Sequence, residues 1–152
     1  VPQTIHGFQL QSQDELNART ATALQEKVWS MTEGKRIAVL DDEAIVGERL
    51  KPALEKSGFR VETYTDSQKL IDQLAVQHFD LVITDMKMRK PDGLDVMRFV
   101  QQHSPSTKVI IITGFATVET AKEALKCGAA DFIAKPFKIS ALRDLVLKIT
   151  GA

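Results

Sequence analysis

Cysteine is nearly absent. Cys127 stands alone among 152 residues, which excludes an internal disulfide and a multi-cysteine metal centre and fits a reducing compartment. Neither sign of charge is in excess: Lys and Arg together number 20, as do Asp and Glu. With a formal net charge of zero, no global field draws the chain to nucleic acid or to an anionic membrane. Histidine is scarce, and His6, His78 and His103 lack ligand spacing. No apolar run approaches the roughly 18–20 residues that cross a bilayer, and no basic-then-apolar leader opens the chain. A cytoplasmic protein with no membrane contact is the expectation. The first residue is Val rather than Met, as in a processed chain or a segment of a longer one.

The hydrophobic pattern divides the chain. Over residues 1–34, Leu16, Thr20, Leu24, Val28 and Met31 recur at helical spacing, which predicts an amphipathic helix over 14–32, ended by Gly34. Such a helix serves either as a linker resting on its neighbour or as a dimerising or partner-binding element. Residues 35–152 then alternate β-rich runs with helical stretches. Strands are predicted at Arg36–Leu40, Arg60–Tyr64, Leu81–Thr84, Lys108–Thr113 and Asp131–Ala134. Helices are predicted at Ala44–Ser57, Ser67–His78, Gly93–His103, Val118–Cys127 and Ile139–Ile149. Val39-Leu40, Leu81-Val-Ile83 and Val109-Ile-Ile-Ile112 are unbroken apolar runs, as strands covered on both faces require. The fold class is therefore α/β, a (βα)5 unit whose strands pair in parallel through right-handed crossovers.

In such a sheet, ligands collect beyond the carboxyl ends of the strands, where the winding direction reverses. Strand one ends at Asp41-Asp42-Glu43, strand three at Asp85, strand four at Thr113-Gly114, and strand five at Lys135-Pro136. Each residue has an ordinary explanation by itself. Asp42 could cap the first helix and Glu43 could favour its dipole; Asp85, Thr113 and Lys135 could be plain strand-end residues. Their joint arrival at one rim is harder to explain that way. Crowded carboxylates repel unless a cation joins them, and an all-oxygen acidic pocket suits Mg2+. Carboxylate-held Mg2+ beside a lysine and a hydroxyl is the equipment of phosphoryl transfer. Asp85 is then the candidate nucleophile, able to form an aspartyl phosphate. Asp41 and Asp42 hold the metal, while Lys135 and Thr113 meet phosphoryl oxygens.

Leu40-Asp-Asp-Glu43, Asp85-Met-Lys-Met-Arg-Lys-Pro-Asp-Gly-Leu94, Ile112-Thr-Gly-Phe-Ala116 and Asp131-Phe-Ile-Ala-Lys-Pro-Phe137 together resemble the receiver domain of two-component response regulators. The resemblance runs from Arg36 to Thr150, and its flavour through Gly114–Ala124 and Gly128–Phe132 is similar to receivers of the nitrogen-regulatory class. It implies a flavodoxin-like five-stranded sheet in the order 2-1-3-4-5, an order carried over from the family rather than read from the pattern. It also implies that Asp85 accepts a phosphoryl group from a phosphohistidine on a sensor histidine kinase or a histidine phosphotransfer protein. Mg2+ would be held by Asp42, Asp85 and the backbone carbonyl of Lys87, and through water by Asp41. Thr113 and Phe132 would be the switch residues that alter the surface of the fourth helix, fifth strand and fifth helix. That surface or the N-terminal helix would serve a homodimer. Lys135-Pro136 matches the family's lysine before a cis proline.

Two positions depart from the family pattern. Met88 is followed by Arg89 rather than proline, the proline coming only at Pro91, so the loop is more basic through Lys87, Arg89 and Lys90. Phe132 stands where tyrosine is commoner. Two rival readings remain. A haloacid-dehalogenase-type phosphohydrolase also forms an aspartyl phosphate on a parallel sheet, but it wants Asp-x-Asp after strand one and a late acidic pair. A receiver-shaped interaction module that is never phosphorylated is the other. Only Thr150-Gly151-Ala152 follow the last helix, so no DNA-binding domain and no direct nucleic-acid contact are expected of this chain.

Overall fold

The computed structural model describes residues 34–114 and 117–151, together with Gln13 and Asn17. The helix expected over 14–32 lies outside the described residues. The chain runs β1 (Arg36–Leu40), α1 (Ala44–Glu55), β2 (Arg60–Tyr64), α2 (Ser67–Leu74), β3 (Leu81–Asp85), α3 (Gly93–His103), β4 (Lys108–Thr113), α4 (Val118–Lys126), β5 (Asp131–Ala134) and α5 (Ile139–Thr150). All pairings are parallel, in the order β2-β1-β3-β4-β5. The strand order expected from the resemblance is thus the observed one.

The alternation of strand side chains builds two separate cores. Ile37, Val39, Ile83, Ile110 and Ile112 face α1 and α5, where Leu50, Leu54, Leu142 and Val146 meet them. Ala38, Leu40, Val82 and Ile111 face the other way, onto Leu70 and Leu74 of α2, Val96, Met97 and Val100 of α3, and Ala124 of α4. Two helices therefore cover one face and three the other, which is why β1, β3 and β4 read as continuous apolar runs. Each of the fully buried residues Ile110, Ile111 and Ile112 contributes about 2 kcal/mol by leaving water. Gly47 lets α1 lie close to β2, since a Cβ there would stand 3.0 Å from the Thr63 side chain.

Most helix ends fall within a residue or two of those expected. The exception is α2, expected to reach His78 and found to stop at Leu74. Beyond it Val76 and Gln77 turn back onto the Gln73 carbonyl. The Gln77 side chain joins Arg36 and Glu62, and Phe79 drops into the core with no exposed surface. Polar anchoring at Gln77 and burial of Phe79 outweigh the local helical pattern. After α4, Gly128 takes φ 103°, the left-handed turn that glycine adopts without penalty. Among the described residues no helix is long and apolar enough to cross a membrane.

Candidate functional site

The register brings the strand ends to one edge. Leu40 pairs with Thr84, Asp85 with Ile112, and Thr113 with Ala134, so Asp41, Asp85, Thr113 and Lys135 sit at the same carboxyl rim. Asp41 and Asp85 are only 2% and 6% exposed, and Thr113 1%. Carboxylates are rarely held so deep without partners. Here the partner is Lys135, whose Nζ donates to Asp41 Oδ2 at 2.8 Å and to Asp85 Oδ2 at 2.7 Å. Partial burial by itself would pull the Lys135 ammonium down. The hydrogen bonds to Asp41 and Asp85, and their charges, outweigh it and hold its pKa above the ordinary lysine value. The Lys135–Pro136 peptide is cis, as the resemblance implies.

The second oxygen of each buried carboxylate is held by backbone. Asp41 Oδ1 accepts from Glu43 N at 2.8 Å, and Asp85 Oδ1 accepts from Lys87 N at 2.9 Å. Both are Asx-type turns in which the side chain bends the chain over the strand end. Glu43 is the N-cap of α1 but makes no side-chain cap hydrogen bond, in keeping with a purely electrostatic place at the helix start. Asp42 is exposed and does not cap α1. It points its charge at the rim, where Asp41, Asp42 and Asp85 each offer a carboxylate oxygen within 4.8 Å of the others. Oxygens bound to one Mg2+ lie about 3 Å apart when adjacent and about 4.2 Å when opposite. The donor set therefore fits a hard divalent cation, most readily with one carboxylate acting through water.

The loop from β3 to α3 is fastened in a way that sequence reasoning missed. Gly93 N donates to the Met86 carbonyl, and a Cβ on Gly93 would stand 2.3 Å from the Asp85 carbonyl oxygen and 2.8 Å from Met86 Cα. Only glycine lets α3 start this close to the backbone of Asp85. Asp92 and Asp95 exchange hydrogen bonds as a capping box, and Lys90 Nζ reaches both carboxylates at 3.0 and 3.1 Å. Backbone donation from Asp92, with Lys90 beside it, holds the Asp95 carboxyl below the usual range. The signal was present as Asp92-Gly-Leu-Asp95 ahead of an apolar run. Gly93→Ala is expected to cost about 1–3 kcal/mol, since the obstruction is backbone and cannot rotate away. A lowered urea midpoint at unchanged slope would show it.

Phe132 lies outside this polar cluster. It is half-buried against the core under α2, α3 and α4, and its strand partner is Ile111, two residues before Thr113. Thr113 lends its carbonyl to Lys135 N at 2.8 Å, tying the ends of β4 and β5 together.

A parallel sheet covered by helices on both faces, with acids and a lysine at its carboxyl rim, defines a class of proteins, and comparison names it. The response regulator receiver domain family matches residues 37–147. The chain belongs to this family and is a receiver domain of two-component response regulators, a signalling domain. It is 36% identical over 116 residues to the regulatory protein AtoC of Escherichia coli, covering 76% of this chain and 25% of AtoC. To the transcriptional regulatory protein FixJ of Bradyrhizobium diazoefficiens it is 33% identical, over 76% of this chain and 57% of FixJ. The chain thus spans from about a quarter to just over half the length of these relatives. A solved response regulator from Thermotoga maritima is similar at 30% identity and TM-score 0.72, over 78% of this chain and 98% of that one.

Proposed function

We propose that this domain is the phosphoacceptor of a two-component phosphorelay, with Asp85 as the residue that takes the phosphoryl group. The observation that carries the reading is the double contact of Lys135 Nζ with Asp41 and Asp85. It presents a carboxylate nucleophile, an ammonium and a further acid at one strand-end rim, with Asp42 beside them. In the transfer, an Asp85 carboxylate oxygen attacks phosphorus, the bond from phosphorus to the imidazole nitrogen of a phosphohistidine breaks, and the imidazole leaves with the electron pair. The donor is a sensor histidine kinase or a histidine phosphotransfer protein. Lys135 exchanges a carboxylate for a phosphoryl oxygen as its counter-charge, and Thr113 donates its hydroxyl to another. Asp42, Asp85, the Lys87 carbonyl and, through water, Asp41 would hold Mg2+, which supplies neutralisation of phosphoryl charge.

On this reading the charge change at Asp85 is passed on by Thr113 and Phe132, on the helix layer that includes α4. A small local change then biases a two-state surface. Val118 and Leu125, 67% and 49% exposed, lie seven residues apart on α4, on one side of the helix, and suit that surface to a protein partner, a second copy included. The domain would work in the cytoplasm beside the ATP-fed kinase.

The test is incubation with a small phosphodonor and Mg2+, followed by intact mass. A gain of one phosphoryl group per chain is expected, and EDTA should slow it by about 100-fold or more. Many turnovers on phosphomonoesters would instead favour the phosphohydrolase, and no gain at all the unphosphorylated module.

A further inference from the structure

The β3–α3 loop carries Lys87, Lys90 and, where the family pattern has a proline, Arg89, and the structure separates the last two. Lys90 is taken up by Asp92 and Asp95, and Arg98 by Asp95. Arg89 is exposed and, among the described residues, has neither a hydrogen bond nor an ion pair. It lines a cleft of about 560 Å3 with Asp42, Thr65, Asp66, Ser67, Met88 and the acid-paired Lys90. The two acids in that cleft leave it alone: Asp66 caps α2 through Gln68 N, and Asp42 belongs to the acidic cluster at the rim. Asp42 thus lines this cleft and also belongs to the acidic cluster that includes Asp85. An unpaired guanidinium there is a fork preset for a planar two-oxygen anion, the geometry of a carboxylate.

We infer that Arg89 recognises the anionic leaving group of acyl phosphate donors, holding the carboxylate set free beside Asp85. The inference rests on Asp85 being the phosphoacceptor. With acetyl phosphate, the bond from phosphorus to the acyl oxygen breaks while the bond to the Asp85 oxygen forms. Acetate departs with the electron pair, no proton being needed, and Arg89 meets its developing charge. With phosphoramidate, the bond from phosphorus to an already protonated nitrogen breaks and neutral ammonia departs, so Arg89 has nothing to hold.

The experiment compares the full chain with Arg89→Gln and Arg89→Lys, following intact mass with Mg2+ and each donor in turn. Arg89→Gln should slow labelling by acetyl phosphate roughly five- to tenfold, the scale of one partly exposed charge-assisted contact. Its phosphoramidate rate should change by less than about twofold. Arg89→Lys, which keeps the charge and loses the fork, should recover part of the acetyl phosphate rate. Equal slowing with both donors, or no slowing with either, overturns the assignment. If the unsubstituted chain took up no phosphoryl group from phosphoramidate, the phosphoacceptor reading itself would fall, and the inference with it.

Discussion

Asp85→Asn is expected to take up no phosphoryl group from any donor, with the domain still folded. The amide oxygen can still accept from Lys87 N, which holds Asp85 Oδ1 at 2.9 Å, so the Asx turn at the end of β3 survives. On the proposed reading, what is lost is the anionic nucleophile, and no neighbour should replace it. Asp41 is held by the same kinds of partner but lies deeper, its side chain 1% exposed against 9% for Asp85, and so is less open to a donor. Asp42 is exposed, outside the inward position held by the lysine. The fold should be little altered, since Lys135 keeps Asp41 and one of three crowded carboxylates is neutralised; a stability change within about 1 kcal/mol is expected. Divalent binding should weaken at least about tenfold, because one of few oxygen anions is gone. Intact mass after treatment with phosphoramidate reads the first outcome, and Mg2+ titration followed by NMR the last. A labelled Asp85→Asn protein would move the acceptor elsewhere.

How much of this was legible in the chain depends on the kind of signal. The apolar runs of β1, β3 and β4 gave their strands away because burial on both faces leaves no polar alternation to confuse them. Asp41, Asp85, Thr113 and Lys135 could be placed at one rim because parallel strands end together, whatever their order. The order itself needed the family resemblance, since no residue pattern states which strand neighbours which. Lys135 illustrates the limit: its position at a strand end was readable, but not that one ammonium bridges two carboxylates that lie far apart in sequence. Gly93 shows the same limit from the other side. Its need is set by the backbone of Asp85, a contact across a loop that local propensity does not encode. The shortened α2 was misread because Gln77 and Phe79 answer to Arg36, Glu62 and the core rather than to their own helical neighbours.

Lys135→Ala is the substitution expected to damage both stability and chemistry. Removing the ammonium leaves Asp41 and Asp85, 2% and 6% exposed, facing each other with no cation between them. Breaking one partner from a buried ion pair costs about 3–5 kcal/mol, and the partial exposure of Lys135 lowers that to about 2–3 kcal/mol. The loss should be greatest in EDTA, and saturating Mg2+ should restore more stability to the variant than to the unsubstituted domain, because a native-state ligand stabilises in proportion to how tightly it is held. Urea unfolding with and without Mg2+ measures both. The pH profile carries a separate signature. Lys135 has a folded pKa raised above the ordinary 10.5, so its contribution is fully present below that value and is lost as pH climbs through the folded pKa. The stability gap attributable to the ammonium should therefore be level across neutral pH and close only in the alkaline range. Labelling should fall by about 100-fold, the scale on which one preorganised donor stabilises charge developing on transferred oxygens. A variant as stable in EDTA as its parent would mean that the two carboxylates find another counter-charge at the rim, and that the bridge by Lys135 is not what allows them to be buried together.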